Sequence, residues 1–275
     1  MKDLYIKLSF FILLSAIIYH IKPLYLFYND RYMETVAGKE IYHAIHKSKS
    51  KNKCKKLLLG DSVAEQLFSN ETDHGNTTSL ATNAAVTMAG QFFLLNNYLN
   101  AGNKIDTVYL LFRPLSFGKN LDEQFTYHYF LKPFYNQEYI PLFTKTAIQQ
   151  AEKIPYAQFC SYPTFLTTNW APDFVSKDKN KFTFLSPISV EYLQKIQQLA
   201  SLKHFKFIIL STPMSHIFKR KIAAMNQQEI TEYGLQNEFG DYFKSITYLN
   251  DSNFVDNIHL KDPVAYRTHY KQEIN

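Results

Sequence analysis

Two short groups near opposite ends of the chain carry side chains that could do chemistry together, Gly60-Asp61-Ser62 and Asp256-Asn257-Ile258-His259. A serine hydroxyl becomes a nucleophile when an imidazole takes its proton. The imidazole does so best when a carboxylate fixes its tautomer and stabilises its charged form. His259 is therefore the expected base for Ser62, and Asp256 the expected orienting acid. The apolar run Leu57-Leu58-Leu59 before Gly60, with helix-forming residues from Val63 to Phe68 after Ser62, predicts a buried strand, a tight turn and a helix start. Gly60 lets the backbone bend sharply. Ser62 then stands where free helix N–H groups favour developing negative charge. A plainer reading fits the same residues, in which Ser62 is only an N-cap.

The elements that must position these groups follow from hydrophobic patterning. Ile105 to Phe112 is nearly all apolar, as a strand covered on both faces must be, and Phe205 to Leu210 reads as another strand. A polar loop from Ser69 to Ser79 leads to a short strand near Leu80, expected to end at Asn83. Met88 to Asn100 places Phe92, Leu95, Tyr98 and Leu99 at helical spacing and is closed by Gly102. Pro187 to Leu202 carries an apolar stripe of Val190, Leu193, Ile196 and Leu199. Lys219 to Tyr242 is expected as a helix, Ile246 to Leu249 as a fifth short strand, and Asp262-Pro263 as the cap of a last helix reaching Tyr270. This alternation implies an α/β fold, a three-layer parallel sheet with helices on both faces. Serine, aspartate and histidine would then meet at one sheet edge.

Leu59-Gly60-Asp61-Ser62, and Asp256 to His259 followed by Leu260, resemble the nucleophile block and the final block of the SGNH (GDSL-type) hydrolase superfamily, over residues 55 to 275. The resemblance implies a flavodoxin-like SGNH fold, no cofactor, and a Ser62–His259–Asp256 triad working on ester bonds as a serine esterase or O-acyl (acetyl) transferase. Two other blocks depart from the family. Leu80-Ala81-Thr82-Asn83-Ala84-Ala85 has no Gly at the oxyanion-hole position, and Val108 to Pro114 lacks the usual Asn. Oxyanion and substrate contacts are therefore expected from the Ser62 N–H with Asn83, Ala85 or Arg113. His216 joins them because it follows the carboxyl end of a strand, where open α/β sheets bind ligands. Similarity to exported relatives such as the alginate O-acetylation proteins implies an acylated carbohydrate or small ester as substrate, and a membrane acyl-donor protein among the partners. The missing Gly and Asn motivate the alternative, a non-catalytic accessory protein in surface polysaccharide assembly or export.

Composition sets the outer bounds. The chain has 275 residues, a net charge of +6 and only two cysteines, Cys54 and Cys160, which excludes a disulfide framework. With eight glycines there is little room for a phosphate-cradling loop. The basic run from His46 to Lys56 reads as a solvated segment; nucleic-acid binding is the sharper reading, but no helix-turn-helix, zinc-finger or RNP pattern accompanies it, and no nucleic acid is expected as partner. His43 and His46 have metal-ligand spacing without a third ligand, so no metal is expected. Leu8 to Ile21, preceded by Lys2 and Lys7, approaches a membrane span and lacks a small-residue cleavage site. Residues 1–23 are thus expected as a signal anchor, 24–55 as a juxtamembrane linker, and 56–275 as an extracytoplasmic α/β domain. An aromatic-rich, mainly helical insertion at about 115–186 is expected near the mouth of the site. Its rings could stack on sugars, surround acyl chains, or simply form a core.

Overall fold

The computed structural model describes residues 2–20, 38–121, 125–154, 157, 160, 184–270 and 274. Its central sheet is built from β1 (Lys56–Gly60), β2 (Asp73–His74), β3 (Thr77–Ser79), β4 (Thr107–Leu111) and β5 (Lys206–Leu210), in the order β2-β3-β1-β4-β5. Every neighbouring pair is parallel except the β2/β3 hairpin. Successive strand side chains point to opposite faces, so each apolar run feeds two cores. Leu57, Leu59, Val108, Leu110, Phe207 and Ile209 enter the larger one, and Leu58, Tyr109 and Leu111 enter the smaller.

Helices cover both faces. In chain order they begin with α1 (Lys2–His20), α2 (Lys39–Ser48), α3 (Ser62–Leu67), α4 (Thr87–Asn100), α5 (Lys145–Glu152) and α6 (Pro187–Lys203). The larger core receives Ile41 and Ala44 from α2, Phe93 and Leu94 from α4, and Leu193 and Ile196 from α6. Nearly every side chain of α4 from Thr87 to Tyr98 is buried, which is why its apolar residues encircle the helix. The smaller core receives Val63, Ala64 and Leu67 from α3, with Phe254 and Leu260 from the loop that carries His259. Local chemistry fixes the helix ends. Ser186 caps α6 by accepting the Ser189 N–H, Pro187 occupies its first turn, and Gly102 follows α4 at φ +83°.

Several boundaries differ from those expected. The second parallel strand is Thr77–Ser79 rather than a segment from Leu80 to Asn83, because the buried threonines pair with β1 while Thr78 also bonds Asp73 across the hairpin. Lys219 to Tyr242 breaks into α7 (Lys219–Ala223), α8 (Gln228–Glu232) and α9 (Gln236–Phe239), with Gly234 and Gly240 at positive φ between and after them. The strand near Ile246 is β7 (Tyr248–Leu249), which pairs with β6 (Met214–Ser215) in a separate two-stranded sheet. The last helix, α10 (Pro263–Arg267), is capped by Asp262 as expected and continues as a 3-10 turn to Tyr270.

Within the segment expected as a linker, α2 is docked, with Ile41, Ala44 and Ser48 buried and Lys39, His43 and His46 turned outward. Lys47 pins it by donating to Asn70 O at 2.9 Å and pairing with Asp73 at 3.0 Å. Residues 21–37 lie outside the described residues. The described part of the aromatic insertion is helical, including a π-helical turn Tyr127–Leu131 that runs into Lys132–Phe134. Phe130, Phe134, Tyr139 and Phe143 all pack on Phe93 of α4, so these rings extend the larger core instead of forming a separate subdomain. Tyr156, Phe159, Tyr162 and Trp170, expected in the same insertion, lie outside the described residues. None of α1 is buried, and its 19 apolar-rich residues are long enough to cross a bilayer by length and composition.

Candidate active site

β1 ends at Gly60, a position where no side chain fits. A Cβ would fall 2.3 Å from Ala64 Cβ and 2.5 Å from Leu111 O. Buried Gln91 of α4 grips this peptide from both sides, accepting the Gly60 N–H at 3.2 Å and donating to its carbonyl at 3.0 Å. Asp61 is the N-cap of α3, its Oδ1 accepting the Val63 N–H at 3.1 Å. Its Oδ2 accepts the backbone N–H and the Nε–H of Arg113, both at 3.1 Å, and the Ser116 hydroxyl at 2.8 Å. This buried carboxylate is thus paired and saturated, and it locks the Ser62 turn to the chain beyond β4. Ser62 follows, half-buried, as the first residue of α3.

From the far end of the sequence, His259 Nε2 comes within 2.9 Å of Ser62 Oγ, and His259 Nδ1 lies 2.7 Å from Asp256 Oδ2. The second carboxylate oxygen of Asp256 accepts the backbone N–H groups of His259 at 2.7 Å and Ile258 at 3.1 Å. Asn257 sits between them at φ +63°, a conformation asparagine tolerates well. Partial burial alone would raise the Asp256 pKa, but the His259 and Ile258 N–H donors and the nearby ring outweigh it and hold the carboxyl at about 2. The loop is fastened to the serine helix. Leu260 N–H donates to Gln66 Oε1 at 3.1 Å, Arg267 of α10 donates to Leu67 O, and Phe254 bridges to Leu260.

A cavity of about 870 Å³ opens beside Ser62, between α2 and the Thr82-Asn83 turn. Asn83 lines it, and its Oδ1 accepts the Ala85 N–H at 2.9 Å, capping the 3-10 turn Ala84–Val86. That bond engages the Ala85 N–H internally while leaving the Asn83 amide N–H groups without a partner among the described residues. Thr87, which ends this turn, holds φ +56°, a costly value for a β-branched residue. Arg113 is buried with its Nε committed to Asp61, and it does not line the cavity. His216 is exposed, stacks on Tyr248 with ring centroids 6.1 Å apart, and does not line the cavity either. Of the four expected oxyanion and substrate residues, Asn83 is the one that shares the cavity with Ser62.

The opposite wall comes from α2, which presents His43 and His46, and from Lys49 at its C-cap. Glu65, one turn into α3, adds a half-buried carboxyl whose pKa is raised by desolvation. None of the described residues of the aromatic insertion expected at the mouth of the site lines the cavity. Gln66, Gln91 and the α2 face carry no motif, although the amphipathic spacing of Ile41, Ala44 and Ser48 was available as a signal for that helix. The described residues contain no group of three His, Cys, Asp or Glu side chains able to hold a metal ion, and both cysteines are free.

Comparison of the sequence with protein families and with curated proteins finds no match. Among solved structures, the chain is similar to a Bacteroides fragilis protein described as a candidate acylhydrolase, at 11% identity, with 86% of this chain and 95% of that one covered and a TM-score of 0.40.

Proposed function

We propose that the protein is a serine esterase or O-acyltransferase of the SGNH type, with Ser62 as nucleophile, His259 as general base and Asp256 as orienting acid. The observation that carries this reading is the relay of 2.9 Å from Ser62 Oγ to His259 Nε2 and 2.7 Å from His259 Nδ1 to Asp256. Ser62 Oγ attacks an ester carbonyl as its proton passes to His259 Nε2. Asp256 accepts the Nδ1–H and stabilises the imidazolium that forms. The Ser62 N–H and the Asn83 amide hold the oxyanion, the Asn83 amide standing in for the family's Gly and Asn donors that are absent here. Collapse of the tetrahedral intermediate breaks the ester C–O bond, and His259 returns the proton to the departing alkoxide. Water or a sugar hydroxyl then loses its proton to His259 and attacks the acyl-serine, which regenerates Ser62.

The substrate we assign is an acetyl or other small acyl ester on a cell-surface glycan, by similarity to exported relatives. Helix α1 serves as the membrane anchor, the domain lies outside the cytoplasm, and a membrane acyl-donor protein supplies the acyl group if the reaction is transfer. A second reading, an accessory protein of surface polysaccharide assembly on the same fold, is favoured by the internally engaged Ala85 N–H, which removes one backbone donor from the oxyanion turn.

A fluorophosphonate probe separates the two. The esterase reading expects labelling of the wild type that disappears in Ser62→Ala and His259→Ala; an unlabelled but folded wild type leaves the accessory role. A C-terminal alkaline phosphatase fusion is expected to be active, and an inactive fusion would count against an exported domain.

A further inference from the structure

The cavity beside Ser62 has a built second wall that the triad does not use. Lys39, His43 and His46 recur at helical spacing along one face of α2, with Lys49 at its C-cap, opposite the face that buries Ile41 and Ala44. Across from them stand Glu65, Glu71 and Asn83. The wall is preformed. Besides the Lys47 contacts, buried Asn70 donates to Glu40 O at 3.2 Å and to Ala81 O at 2.9 Å, tying α2 to the chain beyond β3.

We propose that this wall is a subsite for a neutral, polyhydroxylated leaving or accepting group, a chain of sugar residues whose acyl ester is presented to Ser62. The inference rests on the esterase reading. Sugar hydroxyls both donate and accept, so they pair equally with imidazole, carboxylate and amide groups, all of which occur here. A long acyl chain would strip water from Glu65, Glu71 and both histidines without replacing their hydrogen bonds. A polyanion meets no field of one sign, because Lys39 and Lys49 share the lining with Glu40, Glu65 and Glu71, and Lys49 is already paired with Glu138 at 2.6 Å. The volume of about 870 Å³ lies within the usual range for ligand sites, large enough for more than the acyl group alone.

The test uses full-length protein in detergent with O-acetylated trisaccharides of gluco, galacto, manno and xylo configuration, p-nitrophenyl acetate and p-nitrophenyl decanoate. At least one trisaccharide is expected to show a lower KM than both aryl esters. The double variant His43→Ala/His46→Ala is expected to raise that KM about tenfold, and at least several-fold more than the KM for p-nitrophenyl acetate. The pair His43→Gln/His46→Gln, which keeps hydrogen-bonding groups on these exposed positions, should recover part of the loss. Preference for the decanoate over every trisaccharide, or equal losses on trisaccharide and aryl acetate, overturns the subsite. Ser62-dependent hydrolysis of p-nitrophenyl acetate reports separately on the esterase reading. If that hydrolysis is absent, calorimetric binding of the deacetylated trisaccharides decides the subsite: binding that the alanine pair abolishes supports it, and no binding overturns it.

Discussion

Gln66 Oε1 accepts the Leu260 N–H at 3.1 Å, so the helix that begins with Ser62 also holds the loop that carries His259. The partners are 194 residues apart in sequence, and the bond lies one helical turn from the nucleophile on one side and one residue from the imidazole on the other. Small errors in this registry are expensive, because displacement of a reacting group by about 1 Å can cost on the order of 10²-fold in rate. Gln66→Leu should lower kcat about tenfold with KM nearly unchanged, and Gln66→Glu, which keeps the acceptor, should retain most of the activity. A fall in KM-dependent binding alone, with kcat intact, would contradict this positioning role.

Asp256 reaches His259 Nδ1 at 2.7 Å with its side chain 51% exposed, so water competes for the ring. Asp256→Asn presents an amide where an acceptor is needed and favours the wrong imidazole tautomer. We expect a kcat loss of about 10²–10³-fold, below the largest effects known for such triads, in steady-state hydrolysis of p-nitrophenyl acetate. A loss under threefold would show that the carboxylate does not orient the base.

The pH behaviour of the loop follows from the same carboxylate. Its folded pKa is lowered from 3.8 to about 2, so whatever order it lends the loop is complete above about 4 and is lost as the pH falls through about 2. The amide resonances of Ile258 and His259, which donate to Asp256, should titrate with a midpoint near the lower value in NMR spectra of the folded protein. A midpoint at the ordinary aspartate value would mean that these bonds do not form in solution.

Asp61 and Gly60 carry stability where Ser62 carries chemistry. Asp61→Ala strands the Arg113 guanidinium, whose side chain is only 8% exposed, and should destabilise by roughly 3–5 kcal/mol in denaturant titration. Gly60→Ala drives a methyl group into Ala64 Cβ and the Leu111 carbonyl and should cost about 3 kcal/mol or more. Wild-type midpoints in both variants would refute the proposed lock at this turn.

Ser62, Asp256 and His259 could be read in the sequence because each interrupts an apolar pattern with turn chemistry of its own, and the structure brings them into hydrogen-bond range. The central strands at 56–60 and 107–111 were equally plain, since strands buried on both faces are continuous apolar runs, and the edge strand at 206–210 shows a similar run with one face only partly covered. Other features were not legible. Thr77–Ser79 looks like loop because its polarity hides the burial of its side chains. The role of Arg113 depended on which anion it met, and buried Asp61 claimed it. His216 follows β6, a strand of the small sheet, so the rule that ligands gather at strand carboxyl ends placed it at the wrong sheet. The lysine-rich flank of α2 disguised a docked helix, because a few buried residues suffice to anchor ten when the remainder face water.

The docking of α2 alters where the folding unit begins. Ile41 and Ala44 sit in the larger core alongside Phe93 of α4, well upstream of the first strand. A shortened chain starting at Lys56 would wet that apolar seam and remove one bank of the cleft. Truncation there should therefore yield an aggregation-prone protein with an unwalled serine, whereas trimming back only to Gly38 should keep both the seam and the bank.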